Sequence, residues 1–174
     1  MFTFVTGGLQ SGKSGYAMRR ASEMGPPPWI YLAPDAEENE TLKERLAGYR
    51  RDPEAIWRVR DIAAAPGDAL APSVIEGHGA MVLDRFSVWF SKRIAEASGL
   101  PDAALLAEVE RFSDQLYHCP IPGVLVTTEV GLGLLPTSIP DRRLVRLLGQ
   151  ANQLMAERAS SVVLMVSGVA QRLR

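Results

Sequence analysis

The sequence predicts an α/β fold, a mainly parallel β-sheet with helices on both faces. Three observations lead there. Short apolar runs without strict alternation recur along the chain, separated by stretches of helical spacing, which is the pattern of strands buried on both faces. The first run leads directly into a glycine-rich loop and then a helical pattern. A later run, Ala80-Met81-Val82-Leu83, ends abruptly in the acid Asp84.

Taken in order, residues 2–6 form a β-type run and residues 13–24 a first helix. The breaker cluster Gly25-Pro26-Pro27-Pro28 is a stiff connection, too short to separate domains. Residues 29–33 read as the second strand. Residues 37–51 are rich in helix formers, with Leu42, Leu46 and Tyr49 on one face. A short strand is expected over 56–59, then an alanine- and proline-punctuated segment containing a helix. Residues 80–84 form a further strand, and helices are expected over 87–97 and 102–117. A strand over 123–128, a helix over 142–159 and a strand over 161–166 close the series. Right-handed crossovers bring the loops that follow the strands to one edge of such a sheet, which is where the chemistry belongs.

The 174 residues suit a single domain spanning 1–174, and 47% hydrophobic against 22% charged residues describes a soluble, globular chain. Nineteen basic and twenty acidic residues leave a formal charge of -1, with no electrostatic footprint for nucleic acid or membrane. No apolar run reaches the roughly 18 residues of a membrane span. The opening residues carry no basic leader, and with a single cysteine the reducing cytoplasm is the expected compartment. One cysteine, Cys119, and two histidines, His78 and His118, exclude an internal disulfide and zinc sites of the multiple Cys/His kind.

Gly7-Gly8-Leu9-Gln10-Ser11-Gly12-Lys13-Ser14 is a full match to G-x-x-x-x-G-K-[ST], placed between a strand and a helix as that motif requires. Glycines allow open turns whose N–H groups point at phosphate oxygens, and the following helix adds its positive end. Lys13 would reach the β- and γ-phosphates of ATP or GTP, and the Ser14 hydroxyl would hold Mg²⁺. Asp84 either orients a water on that Mg²⁺ or caps the helix that follows it. Glu129 lies at the same expected edge, where it positions a substrate hydroxyl or water, or pairs with an arginine. Arg142, Arg143 and Arg146 open a helix and either bind phosphate or form a solvated face.

Further motifs carry a resemblance. Thr6 to Ser14 resembles the T-G-G-x-R-S-G-K-S opening of the bifunctional adenosylcobinamide kinase/adenosylcobinamide-phosphate guanylyltransferase family. Tyr31-Leu32-Ala33, Glu44-Arg45-Leu46, Tyr49-Arg50 and Pro53 with Trp57 follow that family's Y-I-A…E-R-I-x-x-H-R…P-x-x-W order. Thr128 to Gly133 with Pro136, Gly149 to Gln153, and Val166-Ser167-Gly168 continue it in collinear order. The resemblance implies a RecA-like phosphate-loop fold, a trimeric assembly and a place in cobalamin biosynthesis. It implies phosphorylation of the aminopropanol hydroxyl of a corrinoid, adenosylcobinamide, and GMP transfer from GTP through a guanylylated histidine. It also implies that Ala33, Pro34, Asp35, Arg50, Arg51, Asp52, Pro53 and Asp61 lie near the guanine nucleotide.

This chain departs from the family pattern with Tyr49 at the nucleophilic histidine, Gln10 at an arginine and Thr128 at an asparagine. A phenol, with a reference pKa near 10, needs activation before it can attack an α-phosphate. Phosphoryl transfer from the glycine loop needs no histidine. His78 and His118 precede strands and are expected at the opposite edge of the sheet. The readings that follow are a kinase for adenosylcobinamide, a non-catalytic nucleotide-binding paralogue, or a kinase for another small alcohol.

Overall fold

In a computed structural model of the chain, residues 1–35, 40, 42, 44, 56–62, 66–97, 99–134 and 136–174 are described. The apolar runs become strands of one sheet: β1 (Phe2–Gly7), β2 (Trp29–Ala33), β3 (Trp57–Asp61), β4 (Ala80–Leu83), β5 (Gly123–Val126), β6 (Ser161–Val166) and β7 (Val169–Arg172). Their order across the sheet is β3-β2-β4-β5-β1-β6-β7. Every pairing is parallel except β6 with β7. The helices are α1 (Lys13–Met24), a short α2 (Pro72–Ile75), α3 (Phe86–Glu96), α4 (Asp102–His118) and α5 (Ile139–Arg158), with a 3₁₀ turn at Pro66–Leu70.

The absence of alternation in the strands has a direct cause. Both faces of the sheet are covered, so successive side chains enter different cores. Phe2, Phe4, Leu32, Leu83 and Leu125 pack with Phe86, Phe90, Leu105, Phe112 and Leu147 on the face covered by α3, α4 and α5. Val5, Tyr31, Val82 and Val126 point the other way, to Ala17, Met18 and Ala21 of α1. Phe86 stacks on Phe90 and Phe112 at ring-centroid distances of 6.0 and 6.3 Å, which anchors the start of α3 beside the end of β4.

The fold is the α/β architecture expected, with differences in detail beyond shifts of one residue at element ends, as in β4 and α3. The strand expected over 56–59 runs from Trp57 to Asp61, because β3 is an edge strand in which exposed Arg58 and Arg60 alternate with inward Trp57 and Val59. The strand expected to 128 ends at Val126; the Thr127 N–H still donates to the Val5 carbonyl at 3.0 Å, while the Thr127 hydroxyl and the Thr128 carbonyl bond to Asn152 of α5. The helix expected from 142 begins at Ile139, since Ser138 accepts a hydrogen bond from the Asp141 N–H at 3.2 Å and Pro140 occupies the first turn. The series does not close at residue 166: Ser167 and Gly168 turn the chain into β7. Most of the helix expected over 37–51 lies outside the described residues, although Glu40, Leu42 and Glu44 are helical. No described helix is long and apolar enough to cross a membrane.

Candidate functional site

β1 delivers the glycine loop to the carboxyl edge of the sheet, between β5 and β6. Gly7 has to be glycine here, since a Cβ would lie 2.3 Å from the Met165 carbonyl oxygen and 3.0 Å from the Ser11 Oγ. The loop tightens through a hydrogen bond from the Ser11 N–H to the Gly8 carbonyl at 3.3 Å. It passes into α1 with no side-chain cap and no acid in the first helical turn. The leading N–H groups of α1 are thus met by no carboxylate of their own helix, and the positive end of its dipole is exposed to the loop.

Lys13 is buried and donates from Nζ to the Gly8 carbonyl at 2.6 Å. Burial pushes its ammonium below the usual lysine range, opposed by attraction to Asp84. The hydroxyls of Thr6 and Ser11 are buried without a hydrogen-bond partner, an unspent polar capacity at the base of the loop. Beside Ser11 opens a cleft of about 660 Å³, lined by residues 9–15, Tyr31, Leu42, Asp84, Arg85, Ser87, Val88 and residues 126–128.

Asp84 stands at the end of β4, 4% exposed. Its Oδ2 accepts from the Tyr31 hydroxyl, and its Oδ1 accepts from the Arg85 N–H at 2.7 Å. It does not cap α3: the N-cap is Arg85, with no side-chain cap bond. A carboxylate offers about four lone-pair sites, so acceptor capacity remains toward the cleft. The hydroxyl of Ser14 and the carboxylate of Asp84 line the same space, and both are the hard oxygen donors that Mg²⁺ takes in small numbers alongside phosphate and water. The residues present therefore fit such an ion.

The other candidates fall in different places. Glu129 ties its loop to the glycine loop through its N–H, which donates to the Gly7 carbonyl at 3.1 Å. Its carboxylate accepts from the Gly131 N–H at 3.1 Å, and no arginine pairs with it among the described residues. Ala33 and Asp61 are register partners at the β2–β3 edge, away from the cleft lining. The Pro34 carbonyl accepts from Arg85 Nη1 at 3.1 Å. Asp35 is bound through both oxygens by Lys92 Nζ, at 2.8 and 2.6 Å, a bond that holds its carboxyl below the usual range. Tyr49, Arg50, Arg51, Asp52 and Pro53 lie outside the described residues.

Two of the three arginines considered for phosphate are already matched: Arg143 and Arg146 both bind Asp102, while the Arg142 Nε donates to the Pro136 carbonyl at 2.7 Å. Both histidines sit at the amino edge of the sheet, as expected. His78 lies against the Ile75 carbonyl before β4, and His118 ends α4, beside the Tyr117 carbonyl that receives the amino group of Met1.

Residue-by-residue reading missed three groups that shape the site. Tyr31 and Arg85 flank Asp84, and buried Asn152 of α5 accepts from Thr127 Oγ1 at 3.0 Å while donating to the Thr128 carbonyl at 3.2 Å. Nothing in the local pattern marks the partners of Tyr31, Asn152 or the Arg85 side chain, because these contacts cross between separate elements.

Comparison with known proteins gives a family described as "Cobinamide kinase / cobinamide phosphate guanyltransferase", which matches residues 3–173. The chain is 30% identical over 178 residues to the "Bifunctional adenosylcobalamin biosynthesis protein CobP" of Pseudomonas aeruginosa, covering 100% of this chain and 98% of that protein. It is 27% and 26% identical over 184 residues to the proteins called "Bifunctional adenosylcobalamin biosynthesis protein CobU" of Salmonella typhimurium and Escherichia coli, covering 100% of both chains in each case. The glycine loop, the parallel sheet and the end-to-end match agree, and this chain belongs to the cobinamide kinase / cobinamide phosphate guanyltransferase family.

Proposed function

We propose that this protein is a nucleotide-dependent kinase that phosphorylates the hydroxyl of adenosylcobinamide, and that guanylyl transfer is lost or much reduced. The observation that carries the kinase reading is the convergence of Lys13, Ser14 and Asp84 on one cleft of about 660 Å³, beside the uncapped start of α1. The loop amides bind the phosphates of ATP or GTP, and Lys13 exchanges its bond to the Gly8 carbonyl for the β- and γ-phosphate oxygens. Ser14, and Asp84 through water, would hold Mg²⁺, which would supply charge neutralisation at the phosphate oxygens. Glu129, on the neighbouring loop, exchanges the Gly131 N–H for the acceptor hydroxyl and orients it for attack. Ala33, Pro34, Asp35, Asp61 and residues 50–53 form the nucleotide's second border, by resemblance. The family's place in a biosynthetic route supports a cytoplasmic protein, with a homotrimer by resemblance.

The position of the histidines favours the kinase-only form. The chain has two, and both lie at the edge opposite the glycine loop. Tyr49 stands where the family pattern has its nucleophile, and a phenol is mostly protonated near neutral pH.

Two assays test this. Wild-type protein with Mg²⁺ and ATP or GTP is expected to phosphorylate adenosylcobinamide, and Lys13→Ala to reduce turnover about a thousandfold or more. No turnover at high protein concentration, with nucleotide binding intact, points instead to a non-catalytic nucleotide-binding paralogue or to another acceptor alcohol. Incubation with α-labelled GTP followed by denaturing electrophoresis is expected to leave no covalent label. Label retained by wild type and lost in Tyr49→Phe overturns the loss of guanylyl transfer.

A further inference from the structure

Arg85 follows Asp84 directly and adopts φ +62°, the left-handed region, which is strained for a side chain other than glycine. That conformation sends the guanidinium toward β2, where Nη1 donates to the neutral carbonyl of Pro34 at 3.1 Å. The side chain is half-buried and lines the cleft that holds Lys13 and Asp84. Among the described residues no carboxylate pairs with it. The nearby acid, Asp35, is bound through both oxygens by Lys92.

Several other arginines differ in this respect. Arg93 is forked onto Glu108 at 2.8 and 2.7 Å, Arg143 and Arg146 share Asp102, and Arg158 meets Asp114 at 3.1 Å. A half-buried guanidinium whose one acceptor among the described residues is neutral gains most from a planar anion, which it can bind through two parallel charge-assisted bonds. The strand order says from which side it does so. Lys13 follows β1, β5 lies between β1 and β4, and Arg85 leans from β4 toward β2. A phosphoryl group at the level of Asp84 therefore has Lys13 on one side and Arg85 on the other.

We propose that Arg85 is a substrate-binding residue that contacts the terminal phosphoryl group of the bound nucleotide from the side opposite Lys13. The assignment rests on the nucleotide-dependent reading above and deepens it. Arg85 exchanges the Pro34 carbonyl for two phosphoryl oxygens, whose charge its guanidinium offsets as the group is transferred.

The test is calorimetric titration, in the presence of Mg²⁺, of a non-hydrolysable ATP analogue and of ADP into wild type, Arg85→Asn and Arg85→Lys. Asparagine tolerates the left-handed backbone, so Arg85→Asn removes the guanidinium with little added strain. Its affinity for the triphosphate analogue is expected to fall about tenfold or more, while its affinity for ADP changes by less than about twofold. Arg85→Lys, which keeps the charge and loses the fork, is expected to fall between. Equal losses for both nucleotides, or no loss for either, overturn the role of Arg85 alone. Wild-type protein that binds neither nucleotide overturns the nucleotide-dependent reading as well. Thermal melting of each variant reports folding, and Arg85→Lys carries the comparison if Arg85→Asn does not fold.

Discussion

The backbone N–H of Gly168 donates to the carbonyl of Ser11 at 3.0 Å, so the β6–β7 turn braces the glycine loop from below. Ser167 and Gly168 both have positive φ, 50° and 84°, the backbone of a tight two-residue hairpin turn. The β6–β7 turn, which no burial pattern in the sequence marks, thus supports the loop on which the proposed chemistry depends.

Gly168→Ala tests that support. A Cβ there meets nothing within 4 Å, so its cost is conformational alone. It is expected to be about 1 kcal/mol in denaturant unfolding, with weaker nucleotide binding. Gly133→Ala, also in open space but with no positive φ, is the control and is expected to stay within about 0.5 kcal/mol of wild type.

Tyr31→Phe removes the hydroxyl that donates to Asp84 and leaves the ring in place against Trp57. Asp84 is buried, so the lost bond is expected to cost about 1.5–3 kcal/mol by chemical denaturation. A cost under about 0.5 kcal/mol would show that the hydroxyl contributes nothing to holding the carboxylate.

Asn152→Asp keeps an acceptor for Thr127 but places a carboxylate against the Thr128 carbonyl, which then loses its donor. The site is buried, so destabilisation of about 2 kcal/mol or more is expected at neutral pH. Acidification that protonates the new carboxyl is expected to recover part of it. Equal stability of the two proteins at pH 7 would rule out this coupling between α5 and β5.

Asp102 tests the acid limit of stability. Hydrogen bonds from Arg146 and Arg143 hold its carboxyl below the usual range. A folded-state pKa lowered in this way contributes stability above the unfolded pKa, and that contribution is lost as pH falls through the folded value. The melting temperature of wild type is expected to exceed that of Asp102→Asn at neutral pH, with the gap closing on acidification. A gap that widens toward low pH would contradict the assignment.

How much was legible in advance can be judged from particular residues. Lys13–Met24 and Trp29–Ala33 were readable to the residue, because each begins and ends at a glycine, a proline cluster or a change of periodicity. The true start of α5 was also written locally, in Ser138-Ile139-Pro140-Asp141, and the β6–β7 turn in Ser167-Gly168. β7 itself was not: all four of its residues are exposed, so it carries no burial pattern, and pairing with β6 alone makes it a strand. For the arginines opening α5 the sequence leaves phosphate binding and a solvated face both open; the partner of Arg143 and Arg146, Asp102, lies some forty residues away, where no local pattern points to it.

By itself, the sequence determined the fold class, the glycine loop with its lysine and serine, and membership of the family, since these rest on spacing along the chain. Only the tertiary structure decided which groups surround Asp84 and what braces the loop. Tyr31 and Asp84 are 53 residues apart, and Ser11 and Gly168 are joined from opposite ends of the chain. Periodicity encodes which faces are buried, but not the order in which strands lie side by side. That order, set by packing both faces of one sheet, brings Arg85 and Lys13 to a single cleft and keeps both histidines away from it.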